Sequence, residues 1–210
     1  MIPPMRFIPF AEQTGFIREI TPWVLEDVIQ QAAQWQRSGM DIVTSVNLST
    51  HDLLNHDLVT QVQALLKDSG LPASQLCLEI TESALMDEPE LALKHLDELA
   101  AHGIKLSIDD YGTGQASLAY VKTLPVNELK IDRAFITEID ATPKNAAIVR
   151  STILLCRELG LSVVAEGAET TAELAWLSNN GCDVVQGYGV AKPMPLPNFL
   201  VWVQDFNRIV

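Results

Sequence analysis

At 210 residues, with 48% hydrophobic and 20% charged residues, the chain has enough apolar material for a sizeable core and reads as one domain over positions 1–210. A formal charge of -13 excludes a protein that grips a nucleic-acid polymer by displacing counterions, and it means that an anionic ligand needs help from metal ions. No apolar run reaches the ~20 residues that span a bilayer, and "MIPPMRFIPF" lacks a basic region followed by a continuous apolar stretch, so no membrane contact is expected.

Helix and strand patterns alternate along the chain. "TPWVLEDVIQQAAQWQRSG" predicts a helix with Thr21 as N-cap, Pro22 at its first position, Leu25, Ile29, Ala32 and Trp35 on one stripe, and Gly39 as the stop. The strand pattern "DIVTSVN" follows. "HDLVTQVQALLKDSG" repeats the logic up to Gly70 and leads into "QLCLEI"; "EPELALKHLDELAAHG" ends at Gly103 and leads into "IKLSI". After a short helical turn in "SLAYVKTLP" comes "NELKI". "TPKNAAIVRSTILLCRELG" then precedes "LSVVAE", and "TTAELAWLSNNG" precedes "DVVQ".

Six strands separated mostly by helices, without hairpin signals of the Asn-Gly type, predict parallel pairing through right-handed crossovers. No G-x-G-x-x-G follows the first strand, which disfavours a dinucleotide-binding open sheet. The better fit is a TIM-type (β/α)8 barrel, incomplete, because the chain falls short of the ~250 residues typical of that fold. Cys77, Cys156 and Cys182 are widely spaced among apolar neighbours, the pattern of free thiols in a reducing cytoplasm.

The C-terminal end of every strand carries a polar residue: Asn47, Glu79, the pair Asp109 and Asp110, Lys130, Glu166 and Gln186. One aspartate before a glycine is ordinary turn chemistry. Polar groups at six equivalent points are harder to assign to turns, and in a barrel these ends meet on the catalytic face. Oxygen ligands of this kind suit hard divalent cations rather than zinc. Four carboxylates beside one lysine also call for neutralising cations, with Asp109 able to bridge two ions and Asp110 to bind one.

The stretches "FIPFAEQTGFI", "SVNLS", "LEITESALM", "IDDYGTGQASLAYVKTLPVNELKID", "VVAEGAET" and "GCDVVQGYGVAKPMP" resemble the EAL-domain family of bacterial phosphodiesterases, which open cyclic di-GMP to linear pGpG. The resemblance covers essentially the whole chain. It implies Asn47, Glu79, Asp109, Asp110 and Glu166 as ligands of two Mg²⁺ or Mn²⁺ ions. It also implies Lys130 and Glu166 as catalytic groups beside the attacking water, Gln186 as a further polar contact, and Glu82 as the anchor of the loop Tyr111 to Ser117. The family's first strand, with Tyr-Gln-Pro, and its second, with Glu-Ala-Leu followed by Arg-Trp, have no counterpart here. The expectation is therefore about six strand-helix units with the first two strands missing, and weak or absent turnover by the 210-residue chain. A homodimer, an upstream sensor or GGDEF domain and a cytoplasmic location belong to the same expectation.

Two rival functions stand beside hydrolysis. One is a catalytically inactive module that binds cyclic di-GMP or dimerises; the other is a metal-assisted lyase or isomerase of the barrel type. His51, His56, His95 and His102 have no metal-ligand spacing and are expected in solvent. Trp23, Trp35, Trp176 and Trp202 are expected to pack helices on the barrel rather than to stack bases.

Overall fold

A computed structural model of the protein describes residues 2–112 and 121–206. It begins with helices α1 (Pro4–Thr14) and α2 (Ile17–Arg37), followed by strand β1 (Thr44–Leu48). Next come α3 (Thr50–Leu53), α4 (Leu58–Ser69), β2 (Leu76–Thr81), α5 (Pro89–Ala101) and β3 (Lys105–Tyr111). The second half runs β4 (Glu128–Ile131), α6 (Arg133–Ile136), α7 (Pro143–Leu159), β5 (Ser162–Glu166), α8 (Thr171–Asn179), β6 (Val184–Gln186) and α9 (Leu196–Phe206). The turn expected in "SLAYVKTLP" begins in 117–120, outside the described residues.

All six strands pair in parallel in the order β1-β2-β3-β4-β5-β6, so the sheet is an incomplete TIM-type barrel. Leu76, Leu78, Ile80, Leu106, Ile108, Leu129 and Ile131 are at most 1% exposed, as expected of strands enclosed between a covering helix layer and a barrel interior. The two outer strands differ. Val46 and Leu48 of β1 are buried under helices, whereas Ser45 and Asn47, on the opposite face, are exposed; Val184 and Gln186 of β6 are exposed in the same way. A cleft of about 460 Å³ separates Val43, Thr44 and Ser45 from Met194, Leu196 and Phe199 at the start of α9.

Helix boundaries follow local chemistry. Gly70 and Gly160 adopt the left-handed conformation that ends α4 and α7. Thr170 and Glu173 form a reciprocal capping box that starts α8. At α2 the prediction fails. The helix begins at Ile17, Pro22 lies inside it, and the Thr21 hydroxyl donates to Asp52 at 2.9 Å instead of capping. Asp52 Oδ2 also accepts from Ser49 N and Oγ, at 2.8 and 2.6 Å, so one buried carboxylate ties α2 to the turn that follows β1. That tertiary anchor offsets the backbone hydrogen bond that the proline forfeits.

Two other expectations also need correction. His95 is 3% exposed, and its Nδ1 lies 2.7 Å from the carbonyl of Leu53 at the end of α3. An imidazole can satisfy an orphan helix carbonyl without breaking a core, and the mid-helix charges around it hid that use. Trp23 is 66% exposed, so most of its ring lies in solvent rather than between helix and barrel. Trp35 and Trp202 do pack, through a ladder with Phe199 and Phe206 along α9, and Trp176 lies under the Arg150 guanidinium.

Candidate active site

A parallel register turns alternate residues of each strand into one shared face. Asn47 pairs with Glu79, Glu79 with Ser107, Ser107 with Glu128, Lys130 with Val164, and Glu166 with Gln186. Six strand ends thus place Asn47, Glu79, Asp109, Lys130, Glu166 and Gln186 on the barrel interior.

Asp110 should point the other way, because neighbours in a regular strand face opposite sides. It does not, for two linked reasons. The β3–β4 register shifts between Ile108 and Tyr111, and Asp110 has φ 55, a left-handed conformation that aspartate tolerates better than most residues. The irregularity re-aims the side chain, so that Asp109, Asp110 and Glu166 each offer an oxygen within 4.8 Å of the others. In an octahedral Mg²⁺ shell neighbouring oxygens lie about 3 Å apart and opposite ones about 4.2 Å apart, so small side-chain adjustments would let these three share one shell. The donor set is all oxygen, as a hard cation requires.

Lys130 sits at the centre of the cluster. Its Nζ is 2.7 Å from Glu79 Oε2, 2.7 Å from Glu166 Oε1 and 3.1 Å from Asp109 Oδ1, and the residue is 3% exposed. Burial alone would lower the lysine pKa, but the carboxylates of Glu79, Glu166 and Asp109 outweigh it and hold the ammonium above its ordinary range. Burial raises Glu166, opposed by Lys130 and reinforced by the charges of Asp109 and Glu79. Burial likewise raises Asp110, with Asp109 and Asp132 adding to it. Four carboxylates around one ammonium leave the site anionic, and two of them already sit above their ordinary range.

The loops behind the cluster are tightly docked. A Cβ on Gly187 would stand 2.1 Å from the Ala168 carbonyl oxygen, and Gly189 N donates to that oxygen at 2.9 Å. Only a residue without a side chain permits this approach, which seats the turn after β6 against the turn after β5 and keeps Gln186 beside Glu166. On the other flank the buried carboxylate of Glu82 accepts from Gly112 N at 3.4 Å. This is the first contact of the loop that Glu82 is expected to anchor; residues 113–117 of that loop lie outside the described residues.

The structure therefore brings Glu79, Asp109, Asp110, Lys130 and Glu166 together, and sets Asn47 and Gln186 beside Glu79 and Glu166 as exposed neighbours in register. Sequence reasoning missed Asp132 as an influence on Asp110 and Glu128 as a further interior carboxylate, two residues before Lys130 on the same face. The period-2 pattern of "NELKID" carried the signal for Glu128. Burial raises the pKa of all three thiols, Cys77 to about 12 and Cys156 to about 11, so none offers a thiolate nucleophile at neutral pH.

The EAL domain family model matches residues 1–193. Over 204 residues the chain is 42% identical to the bifunctional diguanylate cyclase/cyclic di-GMP phosphodiesterase MucR of Pseudomonas aeruginosa, an alignment covering 97% of this chain and 30% of MucR. It is 34% identical over 208 residues to the cyclic di-GMP phosphodiesterase PdeR of Escherichia coli, covering 99% of this chain and 32% of PdeR. The chain thus spans under a third of the length of either relative. Among solved structures, the PaMucR phosphodiesterase in complex with c-di-GMP matches with a TM-score of 0.90 at 42% identity, over 94% of this chain and 81% of that one.

Proposed function

The chain belongs to the EAL-domain family, and we infer that its 210 residues act as one metal-dependent unit that hydrolyses cyclic di-GMP to linear pGpG. The observation that carries this reading is the convergence of Glu79, Asp109 and Glu166 on Lys130, with Asp110 turned into the same cluster. The name MucR and the cyclic di-GMP in its complex support the choice of substrate. Asp109, Asp110, Glu166, Glu79 and Asn47 would hold the Mg²⁺ or Mn²⁺ ions, with Asp109, Asp110 and Glu166 already grouped closely enough to share one. Such ions supply Lewis acidity at a phosphoryl oxygen and an acidified water.

The reaction forms one P–O bond from water and breaks one ester P–O bond of the ring, the departing ribose oxygen taking a proton from solvent, and the rest of the chemistry falls to the protein's own groups. Lys130, held in its charged state, donates to the oxygens around the reacting centre and orients the water. Glu166 lies 2.7 Å from that ammonium, placed to receive the water's proton. Gln186, next to Glu166 in register, steadies a phosphate oxygen. A protein of charge -13 gains its attraction for a dianionic substrate only through the cations it binds.

Weak turnover is expected of the 210-residue chain, because Asn47 and Gln186 stand exposed on outer strands whose inner faces are open. The same exposure favours the second reading, a module that binds cyclic di-GMP or dimerises without cutting. Cytoplasmic location, a homodimer and an upstream sensor or GGDEF domain belong to the proposal, the last by analogy with the bifunctional name of MucR. The test is a product assay for pGpG with Mg²⁺, Mn²⁺ or EDTA, alongside a binding measurement. Metal-dependent product supports hydrolysis; saturable binding without product in Mn²⁺ supports the second reading; neither binding nor product overturns both.

A further inference from the structure

Beneath the divalent cluster the barrel interior carries polar groups that the reaction does not use. Ser107 lies two residues before Asp109, and Glu128 two residues before Lys130; the register sets Ser107 between Glu79 on β2 and Glu128 on β4. All three side chains therefore share the interior face. Ser107 is fully buried, and its Oγ has no hydrogen-bond partner among the described residues. Buried hydroxyls are paired in the great majority of cases, so an orphan between two carboxylates marks a place for a bound species. Glu128 brings charge to that place. Burial holds its carboxyl above the usual range, the Ser107 hydroxyl opposes the shift, and the charge of Glu79 adds to it. The hydroxyl is thus within electrostatic reach of the carboxylate, although no hydrogen bond of ordinary geometry joins them. Lys130 is committed to Glu79, Glu166 and Asp109, and among the described residues Glu128 forms no ion pair.

We propose that Ser107 Oγ, the Glu128 carboxylate and the Glu79 oxygen not bonded to Lys130 hold one alkali cation, Na⁺ or K⁺, behind the divalent cluster. The donors are all oxygen, which suits a hard cation. Mg²⁺ sheds its waters reluctantly and so favours the more open cluster above, whereas an alkali ion gives up its shell more readily. A water in the same place satisfies the hydroxyl but leaves the charge of Glu128 unbalanced beside Glu79. Glu128 is the fifth interior carboxylate around a single ammonium, after Glu79, Asp109, Asp110 and Glu166. The ion offsets that charge and braces Glu79 from behind, which makes Ser107 and Glu128 positioning residues for it.

The inference does not depend on the substrate and is tested without one. Melting temperatures are measured in saturating Mg²⁺ while LiCl, NaCl or KCl replaces choline chloride at fixed total chloride, so that screening stays constant. The wild-type chain should show a saturable rise with Na⁺ or K⁺. Glu128→Gln should weaken the apparent alkali affinity roughly tenfold or more, as expected when a charged ligand is lost. Ser107→Ala should melt no lower than wild type in choline chloride, because it removes an unpaired buried hydroxyl, yet should lose most of the alkali response. That reversal is one a merely structural serine would not give. Asp110→Asn, which alters the divalent cluster alone, should keep the response. Sodium NMR relaxation, with K⁺ as competitor, should report binding to wild type that Glu128→Gln lacks. A wild-type chain indifferent to the alkali ion would show that only water sits there and would overturn the proposal. Equal responses of wild type and Glu128→Gln would overturn it too, as would a response abolished by Asp110→Asn, which would place the ion in the divalent cluster.

Discussion

Replacing Lys130 with methionine keeps most of the aliphatic stem and removes the charge at the centre of the cluster. At an effective dielectric of about 20, each 2.7 Å contact is worth about 6 kcal/mol of Coulomb energy and the 3.1 Å contact about 5 kcal/mol. Those sums are not the stability at stake, because desolvating four ions costs several kcal/mol apiece and the two effects nearly cancel. The decisive quantity is what remains after the substitution: Glu79, Asp109 and Glu166 face one another without a counter-charge. Breaking a buried pair in this way costs about 3–5 kcal/mol. In EDTA at neutral pH, urea unfolding of Lys130→Met should show a loss of that order. The crowded carboxylates can escape by taking up protons, and burial already raises Glu166. A folded-state carboxylate pKa above the unfolded one means that the native chain binds the extra proton, so the stability of the variant should rise as pH falls from 7 towards 5. A divalent ion relieves the same repulsion, so Mg²⁺ should stabilise the variant more than the wild type; a ligand at 100 times its Kd supplies about 2.7 kcal/mol. A variant within about 1 kcal/mol of wild type in EDTA, with the same pH slope and the same response to Mg²⁺, would refute the reasoning, since exposed pairs behave that way.

Three further outcomes are expected. Asp110→Asn should lower Mn²⁺ affinity at least tenfold in a titration followed by paramagnetic resonance, and turnover by about 10²- to 10³-fold, as loss of a charge-stabilising group does. Gly187→Ala should cost about 1–3 kcal/mol by thermal unfolding, the range for overpacking, because its Cβ meets the Ala168 carbonyl at 2.1 Å. Glu173 accepts from the backbone N–H groups of Glu138, Glu169 and Thr170; although burial opposes it, these bonds hold its pKa below the usual glutamate value. The stability that Glu173→Gln removes, about 1–3 kcal/mol for hydrogen bonds to a charge, should be full at pH 6 and vanish as pH falls through the lowered native pKa.

The strands and their polar ends were legible in the sequence because both depend on local patterns. The apolar runs ending in "VTSVN", "CLEI", "KLSIDD", "ELKI", "VVAE" and "VVQ" all form strands, and their register alone puts Asn47, Glu79, Lys130, Glu166 and Gln186 on one face. Features set by tertiary contact were not legible. Nothing near Thr21 and Pro22 announces that Asp52, 31 residues from Thr21, will claim the hydroxyl and let the helix start at Ile17. His95 sits among charged helical neighbours, yet its burial depends on the end of α3 arriving above it. α1 was invisible because Pro4 and Pro9 look like punctuation, although Pro4 occupies the first turn, where its missing N–H costs nothing.

The adjacent aspartates of "IDDYG" show how a local irregularity can create a site. A regular β3 would send Asp109 inward and Asp110 outward, leaving Glu166 with one carboxylate neighbour from that strand. The left-handed φ of Asp110 and the shifted register turn the second aspartate back, at a backbone cost that glycine would avoid. Glycine could adopt the bend but could bring no ligand to it; a longer or β-branched side chain could not adopt the bend cheaply. Aspartate meets both demands, so an Asp110→Gly chain should keep the fold of β3 and lose the metal. Strain at this residue and the anionic crowding around Lys130 are therefore two aspects of one arrangement, in which the folded chain holds more negative charge than a single ammonium can balance. A divalent cation is the simplest partner able to balance it.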